Sequence, residues 1–197
     1  GYITMRLFYS PRNAGQIWVR AGTPSFGTSH IADVTFGGGK FVAVGNDGKI
    51  GFSSDGDTWT QAETPSFGTY PISNIVSCNN IYMAMSAEVH ITATSPDGNT
   101  WTQQVHKIRS AGTLTTDGAR FIALGTYTGS ALDVLHTTDG VTWTTLSKVL
   151  PSYMPVLQYG NSMYFAIQGE SACYSSDMSD WTAVETGITG SSVGVYK

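Results

Sequence analysis

The sequence is poor in charged residues, which make up 12% of its 197 residues against about 25% in an ordinary soluble domain. Its formal net charge is −4, and its five arginines are scattered along the chain. No basic stripe is therefore present to neutralise a phosphate backbone, and we expect no nucleic-acid partner. The sequence also lacks an apolar run of about 18 residues, so we expect no membrane insertion.

Cysteine and histidine are scarce as well. The two cysteines, Cys78 and Cys173, fall at different points of the repeat described below, which disfavours a disulfide between them. The four histidines form no short-spaced pair, and no cysteine lies near them in the repeat. We therefore expect neither a metal site nor a cofactor.

Tryptophan is the most regular residue of the chain. It occurs only at positions 18, 59, 101, 143 and 181, so that the successive spacings are 41, 42, 42 and 38 residues. A period near 40 with one aromatic anchor per unit is typical of a β-propeller, in which each unit is a four-stranded blade. Because five such units account for the length, the sequence predicts an all-β fold, a five-bladed propeller of antiparallel blades.

We expect one domain over residues 1–197, since the period leaves no linker. The predicted blades cover residues 30–70, 71–107, 108–153, 154–190, and 191–197 together with 1–29. Both termini would close the last blade. When the repeat is counted back from Trp18, the second strand of this last blade would fall before residue 1. Three explanations stay open: a three-stranded blade, re-use of the strand near Tyr2, or a fragment of a longer protein.

Each unit shows two further patterns. A second-strand motif places an alanine in register four times, which suits a strand between two neighbouring sheets: Ala43, Ala84, Ala123 and Ala166. Before each of the last four tryptophans stands the motif Ser/Thr-x-Asp-Gly-x-Thr-Trp, at 53–59, 95–101, 137–143 and, in a degenerate form, 175–181. Its aspartate can accept turn N–H groups and its glycine can supply a positive φ. Each turn offers too few carboxylates for a calcium site.

This motif resembles the Asp-box, or BNR repeat, of sialidase-type β-propellers, and similar propeller domains occur in phage tail and bacterial surface proteins. The resemblance implies structural turns between the third and fourth strands, on the face away from the ligand site. It also implies an extracellular or virion-surface location. The structural residues would be Asp55, Asp97, Asp139, Asp177, Trp59, Trp101, Trp143 and Trp181.

Loops on the opposite face are then the expected ligand site. The inter-blade loops duplicate the string Thr-Pro-Ser-Phe-Gly-Thr, at 23–28 and 64–69. That string is either a recognition element or a rigid crossover whose aromatic ring fills the gap between blades. The candidate aromatic platforms are Tyr127, Phe67, Tyr70 and Tyr153, and the candidate hydrogen-bonding partners are Asp47, Asn46, Glu88, Glu170 and His30.

Catalysis is not expected. Sialidases resembling this repeat need an arginine triad, and only Arg109 falls near the predicted ligand face. Carboxylates in the loops leave glycoside hydrolysis as a less favoured alternative. The sequence therefore predicts a non-catalytic recognition module for a glycan or cell-surface receptor, as in a phage tail fibre or a secreted protein. The alternative is a structural domain whose partners are other subunits of an assembly.

Overall fold

A computed structural model of the chain describes residues 26–63, 67–86, 88, 91–105, 109–126, 133–146, 156–168 and 171–185. The chain divides into two compact units, Gly1–Val105 (unit 1) and His106–Lys197 (unit 2). Within the described ranges the fold is all-β, apart from one 3-10 turn at Asn46–Gly48. No helix in these ranges is long and apolar enough to cross a membrane. The single domain expected from the sequence stays a prediction.

Unit 1 contains two antiparallel four-stranded sheets in which each strand pairs with the next along the chain. The first sheet consists of β1 (Ile31–Gly37), β2 (Lys40–Gly45), β3 (Ile50–Ser53) and β4 (Thr60–Gln61). The second sheet consists of β5 (Asn74–Cys78), β6 (Ile81–Ser86), β7 (Ile91–Ser95) and β8 (Thr102–Val105).

Unit 2 repeats this arrangement. The third sheet consists of β9 (Arg109–Thr116), β10 (Phe121–Thr126), β11 (Asp133–Thr137) and β12 (Thr144–Thr145). The fourth sheet consists of β13 (Val156–Gly160), β14 (Met163–Gln168), β15 (Ser171–Ser175) and β16 (Thr182–Glu185). The described residues thus form four sheets, where the sequence predicted five. The predicted fifth blade falls almost entirely on residues 1–25 and 191–197, which lie outside the described ranges.

The second-strand alanine fixes how the sheets pack within each unit. We call the face that carries this alanine the back of a sheet and the other face its front. In unit 1 the front of the first sheet, with Val42, Val44 and Ile50, packs on the back of the second, with Ala84 and Trp101. In unit 2 the front of the third sheet packs in the same way on the back of the fourth, around Ile122, Leu124, Ala166 and Cys173. Burial of each large aliphatic side chain there contributes about 1.5–3 kcal/mol.

The four Asp-containing motifs form hydrogen-bonded turns between the third and fourth strands of their sheets, and we call them the Asp turns. In the first, Asp55 Oδ1 accepts the backbone N–H groups of Asp57 and Thr58, each at 2.8 Å. The Ser53 hydroxyl accepts the N–H of Gly56 at 2.9 Å, and the Trp59 indole donates to the Gly56 carbonyl at 3.1 Å. The aspartate and serine side chains thus close a tight turn by bonding to its backbone N–H groups.

These backbone bonds stabilise the ionised carboxylates. The N–H of Thr58, followed by that of Asp57, lowers the pKa of Asp55. In the third turn the N–H groups of Thr142 and Val141 lower the pKa of Asp139 to about 2. Each carboxylate is thus used to close its own turn.

Candidate functional site

The loop that joins β2 to β3, residues 46–49, lies on the end of the first sheet opposite its Asp turn. It makes a tight turn in which Asp47 and Gly48 have φ values of 59° and 64°. A Cβ at Gly48 would lie 2.0 Å from the carbonyl oxygen of Gly68, so only glycine fits there. The 46–49 loop is therefore in direct contact with the inter-blade turn at 67–70.

A second inter-blade turn holds the other side of the 46–49 loop. Ser29 donates its hydroxyl proton to Asp47 Oδ2 at 2.6 Å, and Lys49 Nζ donates to the carbonyl of Phe26 at 2.9 Å. The backbone N–H of Asn46 donates to the carbonyl of His30 at 2.9 Å. Because Asn46, Asp47 and Lys49 of the loop each bond to this neighbouring turn, the loop is fixed before any ligand arrives.

The aromatic residues of the duplicated string are buried. Phe26 is 2% exposed and Phe67 is 1% exposed. Phe26 packs with Ala43 and Trp59, and Phe67 lies in the cluster that contains Ala84 and Trp101. The crossover interpretation of the string is thus the one that the structure supports. Phe67 offers no surface to a ligand, because its ring fills the space beside the second-strand alanine.

Four of the predicted candidates are exposed around this fixed loop. Asn46 and Asp47 are its exposed residues, His30 precedes β1, and Tyr70 ends the 67–70 turn with 49% of its surface exposed. The set combines one large ring with amide, carboxylate and imidazole groups. Such a surface can bind a flat apolar group and hydrogen-bond the polar groups beside it. We call these four residues the loop surface.

The structure does not place the remaining candidates in the loop surface. Glu88 is exposed between β6 and β7, at the position in the second sheet that corresponds to the 46–49 loop. Tyr127, Tyr153 and Glu170 lie outside the described ranges. Their part in binding stays a prediction.

Sequence reasoning missed Ser29 and Lys49, which position the loop surface. It also missed a polar cluster in unit 2. There Asp117 Oδ2 accepts hydrogen bonds from Arg120 Nε at 2.8 Å and from the Tyr164 hydroxyl at 2.7 Å. Asp117 Oδ1 accepts the backbone N–H groups of Ala119 and Arg120, each at 2.9 Å. The only available signal was the Asp-Gly-x-Arg string of a tight turn, which does not reveal Tyr164.

The electrostatics of this cluster favour a structural role. Burial raises the pKa of Asp117, but the hydrogen bonds from Tyr164 and Arg120 outweigh it, so the net pKa lies below its ordinary value. Burial raises the pKa of Tyr164, the bond to Arg120 opposes that rise and the bond to Asp117 adds to it, so the net pKa lies above its ordinary value. The Asp117 carboxylate, the Tyr164 phenol and the Arg120 guanidinium bond to one another. The Asp117 side chain is only 8% exposed. Such a closed arrangement joins two sheets and leaves little room for a substrate.

Groups for metal or redox chemistry are few in the part of the chain that the structure describes. It contains no cluster of three histidine, cysteine or carboxylate side chains that could hold a metal ion. Cys78 and Cys173 are both buried and free of disulfides, and burial raises the pKa of the Cys173 thiol. These thiols pack as small apolar groups within their sheets.

Comparison with known proteins supports a β-propeller fold. The chain is similar to YCF48 bound to D1 peptide, with a TM-score of 0.65 and 15% identity over 87% of this chain and 59% of that one. It is similar to a chain of a nidogen/laminin complex, with a TM-score of 0.67 and 10% identity over 93% of this chain and 76% of that one. Virginiamycin B lyase from Staphylococcus aureus gives a TM-score of 0.61 and 12% identity, over 86% and 59% of the two chains.

At these identities the likeness concerns the fold. The chain spans 59% of the length of the matched YCF48 and lyase chains. No family model matches the sequence, and neither does any curated protein. Among these neighbours one is bound to a peptide, one belongs to a complex with laminin and one is a lyase. Function therefore has to be argued from the loop surface itself.

Proposed function

We propose that this chain is a non-catalytic recognition module that binds its partner through the loop surface, His30, Asn46, Asp47 and Tyr70. The observation that carries this proposal is the fixed 46–49 loop, which is held by the Ser29–Asp47 and Lys49–Phe26 bonds while Asn46 and Asp47 stay exposed. A loop fixed in advance loses little conformational entropy on binding. Exposed aromatic and polar groups on such a loop are suited to recognition rather than to chemistry.

A protein segment is the partner class that the structural neighbours favour. One neighbour is bound to a peptide and another belongs to a complex with laminin. In this version the chain acts in an assembly, and Tyr70 would be the anchor because tyrosine is enriched among residues that dominate binding energies.

A glycan or cell-surface receptor is the second partner class. The support is the resemblance of the Asp turns to the Asp-box, together with a charge-poor composition similar to that of phage tail and secreted propellers. A sugar would place its C–H face on Tyr70 and its hydroxyls against Asn46 and Asp47. An extracellular or virion-surface location belongs to this version of the proposal.

Parallel binding screens with the full chain distinguish the two classes. We expect Tyr70→Ala to weaken binding of the selected peptide or glycan at least about tenfold, as for a residue at the centre of an interface. Val141→Ala is the control, because Val141 is 53% exposed and belongs to an Asp turn of unit 2 rather than to the loop surface. Equal weakening by both substitutions, or by neither, would contradict the proposed site.

We also propose that the four sheets belong to a five-bladed Asp-box propeller whose fifth blade takes residues from 1–29 and 191–197. The four Asp turns share one hydrogen-bonding pattern, and Trp18 precedes Trp59 by 41 residues. If Trp18 anchors a blade, Trp18→Ala should destabilise the chain about as much as Trp59→Ala, on the order of 3–5 kcal/mol. A change below about 1 kcal/mol in urea unfolding would count against a fifth blade.

A further inference from the structure

Each unit holds a cation between an aromatic residue and an oxygen acceptor at the end of its sheets that carries the Asp turns. In unit 1, Lys40 Nζ lies 5.2 Å from the centre of the Phe52 ring and donates to the Asp97 carbonyl at 3.1 Å. In unit 2, the guanidinium of Arg120 bonds to a carboxylate and a phenol. In both contacts the chain itself supplies the cation.

The loop surface presents an aromatic ring and a carboxylate with no lysine or arginine between them. Asp47 supplies the carboxylate, which accepts a hydrogen bond from the neutral hydroxyl of Ser29 at 2.6 Å. Lys49 is the only lysine or arginine in the loop and in the two turns that contact it. Its ammonium donates to the Phe26 carbonyl at 2.9 Å, so it is directed at a backbone oxygen rather than at Asp47. The carboxylate therefore stays available to a cation from outside the chain.

The aromatic ring of the loop surface is positioned by its backbone. The N–H of Tyr70 donates to the Phe67 carbonyl at 3.2 Å, and the N–H of Ile72 donates to the Gly45 carbonyl at 3.1 Å. Because these bonds lie on either side of residue 70, the backbone of Tyr70 is fixed while its side chain is 49% exposed. The 46–49 loop contacts this turn, so the ring and the carboxylate belong to one continuous surface.

A cationic side chain suits this pair of groups. A guanidinium or an ammonium that lies over an aromatic ring is attracted by the negative face of the ring. A carboxylate binds the same group through charge-assisted hydrogen bonds. Arginine fits better than lysine, because its planar guanidinium can stack on a ring while its N–H groups donate to a carboxylate.

We propose that the partner of the loop surface is a protein segment with an exposed arginine, whose guanidinium stacks on Tyr70 and bonds to Asp47. This inference rests on the proposed function and adds the chemistry of the partner. The cation that the chain supplies in its own two contacts here comes from the partner. A protein segment can carry this group, whereas a neutral glycan cannot.

Peptide selection on the full chain tests the chemistry of the partner. A random peptide library is selected for binding, and each enriched peptide is synthesised with arginine and with citrulline, which has nearly the same shape but no charge. We expect the citrulline peptide to bind at least about tenfold more weakly. Arginine-free peptides or neutral glycans that bind, and that Tyr70→Ala releases, would overturn this inference and leave the proposed function standing. A screen without any ligand that depends on Tyr70 would overturn both.

Removal of one charge tests the role of Asp47. In Asp47→Asn the amide oxygen can still accept the Ser29 hydroxyl, and asparagine tolerates the φ of 59° at this position. We expect Asp47→Asn to weaken binding of the arginine peptide about fivefold and to leave binding of the citrulline peptide unchanged. Equal weakening of both peptides would overturn the inference.

Glu63→Gln is the matched control for this substitution. Glu63 is an exposed carboxylate of the same unit, and its backbone N–H bonds to Asn99 in the second Asp turn. Its replacement changes the net charge of the chain by the same amount as Asp47→Asn but leaves the loop surface intact. We expect no change in binding of the arginine peptide. If Glu63→Gln weakens that peptide as much as Asp47→Asn does, the effect comes from net charge and the inference is wrong.

Discussion

Tyr82 in unit 1 and Tyr164 in unit 2 occupy the same position, two residues before the alanine of a second strand, yet they bind different acceptors. Tyr82 donates to the carbonyl of Gly37, at the end of β1 next to its turn into β2. Tyr164 donates to the carboxylate of Asp117, which is also paired with Arg120. Both tyrosines reach from one sheet to the first turn of the preceding one. The position is retained in the repeat, while the chemistry changes from a neutral bond to a charged cluster.

The Asp turns differ between the units in a related way. In unit 1, Trp59 and Trp101 are each 5% exposed, whereas Trp143 and Trp181 in unit 2 are half-buried. The fourth turn also has Met178 in place of glycine, at a φ of 65°. Unit 1 therefore relies more on buried tryptophan at its turns, and unit 2 adds a charged contact between its sheets.

The largest expected effect is the removal of a buried tryptophan from unit 1. Trp101→Ala should destabilise the chain by about 3–5 kcal/mol, because it leaves a cavity beside Val42 and Ala84 and removes the bond to the Gly98 carbonyl. Trp181→Ala should cost less, since Trp181 is only partly buried. Urea unfolding followed by circular dichroism measures both. Equal losses would contradict the difference in burial between the two turns.

The next effect compares the two tyrosine contacts. Tyr164→Phe should cost about 2 kcal/mol, because it removes a donor from a charged and largely buried carboxylate. Tyr82→Phe should cost about 1 kcal/mol, because it removes a neutral bond. A double-mutant cycle of Tyr164→Phe with Asp117→Asn should show coupling in unit 2. Additive effects of those two substitutions would mean that the charged cluster contributes no energy of its own.

A smaller effect concerns the glycine of the Asp turns. At Gly98, with a φ of 79°, an added Cβ would lie 2.9 Å from a methyl group of Val42 on the neighbouring sheet. Gly98→Ala should therefore cost about 1–2 kcal/mol from backbone strain and crowding together. Gly39→Ala is the control, because Gly39 has a φ of 80° but nothing within 4 Å of the added Cβ. If both variants unfold at the same urea concentration, crowding by Val42 is negligible.

The repeat made much of each sheet predictable and the contacts between sheets only partly so. The alanine register and the Asp-Gly-x-Thr-Trp turn are local patterns, and they located the second strands and the third-to-fourth turns correctly. Phe67 was assigned to the surface because a loop sequence does not show which side its ring takes, and the ring is in fact buried beside Ala84. Tyr164 and Asp117 are 47 residues apart, so only the folded sheets bring them together. The tryptophan period predicted five blades, whereas the described residues form four sheets.

The smallest effect is the pH dependence of the two tyrosine contacts. Because the folded-state pKa of Asp117 is lowered, its contribution to stability is fully present above its ordinary pKa of 3.8 and is lost as the pH falls through the lower folded value. Asp117→Asn should therefore make stability fall less steeply with acid than in the unchanged chain, between about pH 5 and pH 2. Tyr82→Phe should leave that slope unchanged, because the Gly37 carbonyl does not titrate. Urea midpoints measured at a series of pH values give the slope for each chain. If Asp117→Asn and the unchanged chain show the same slope, the charged contact of unit 2 has no influence on acid unfolding.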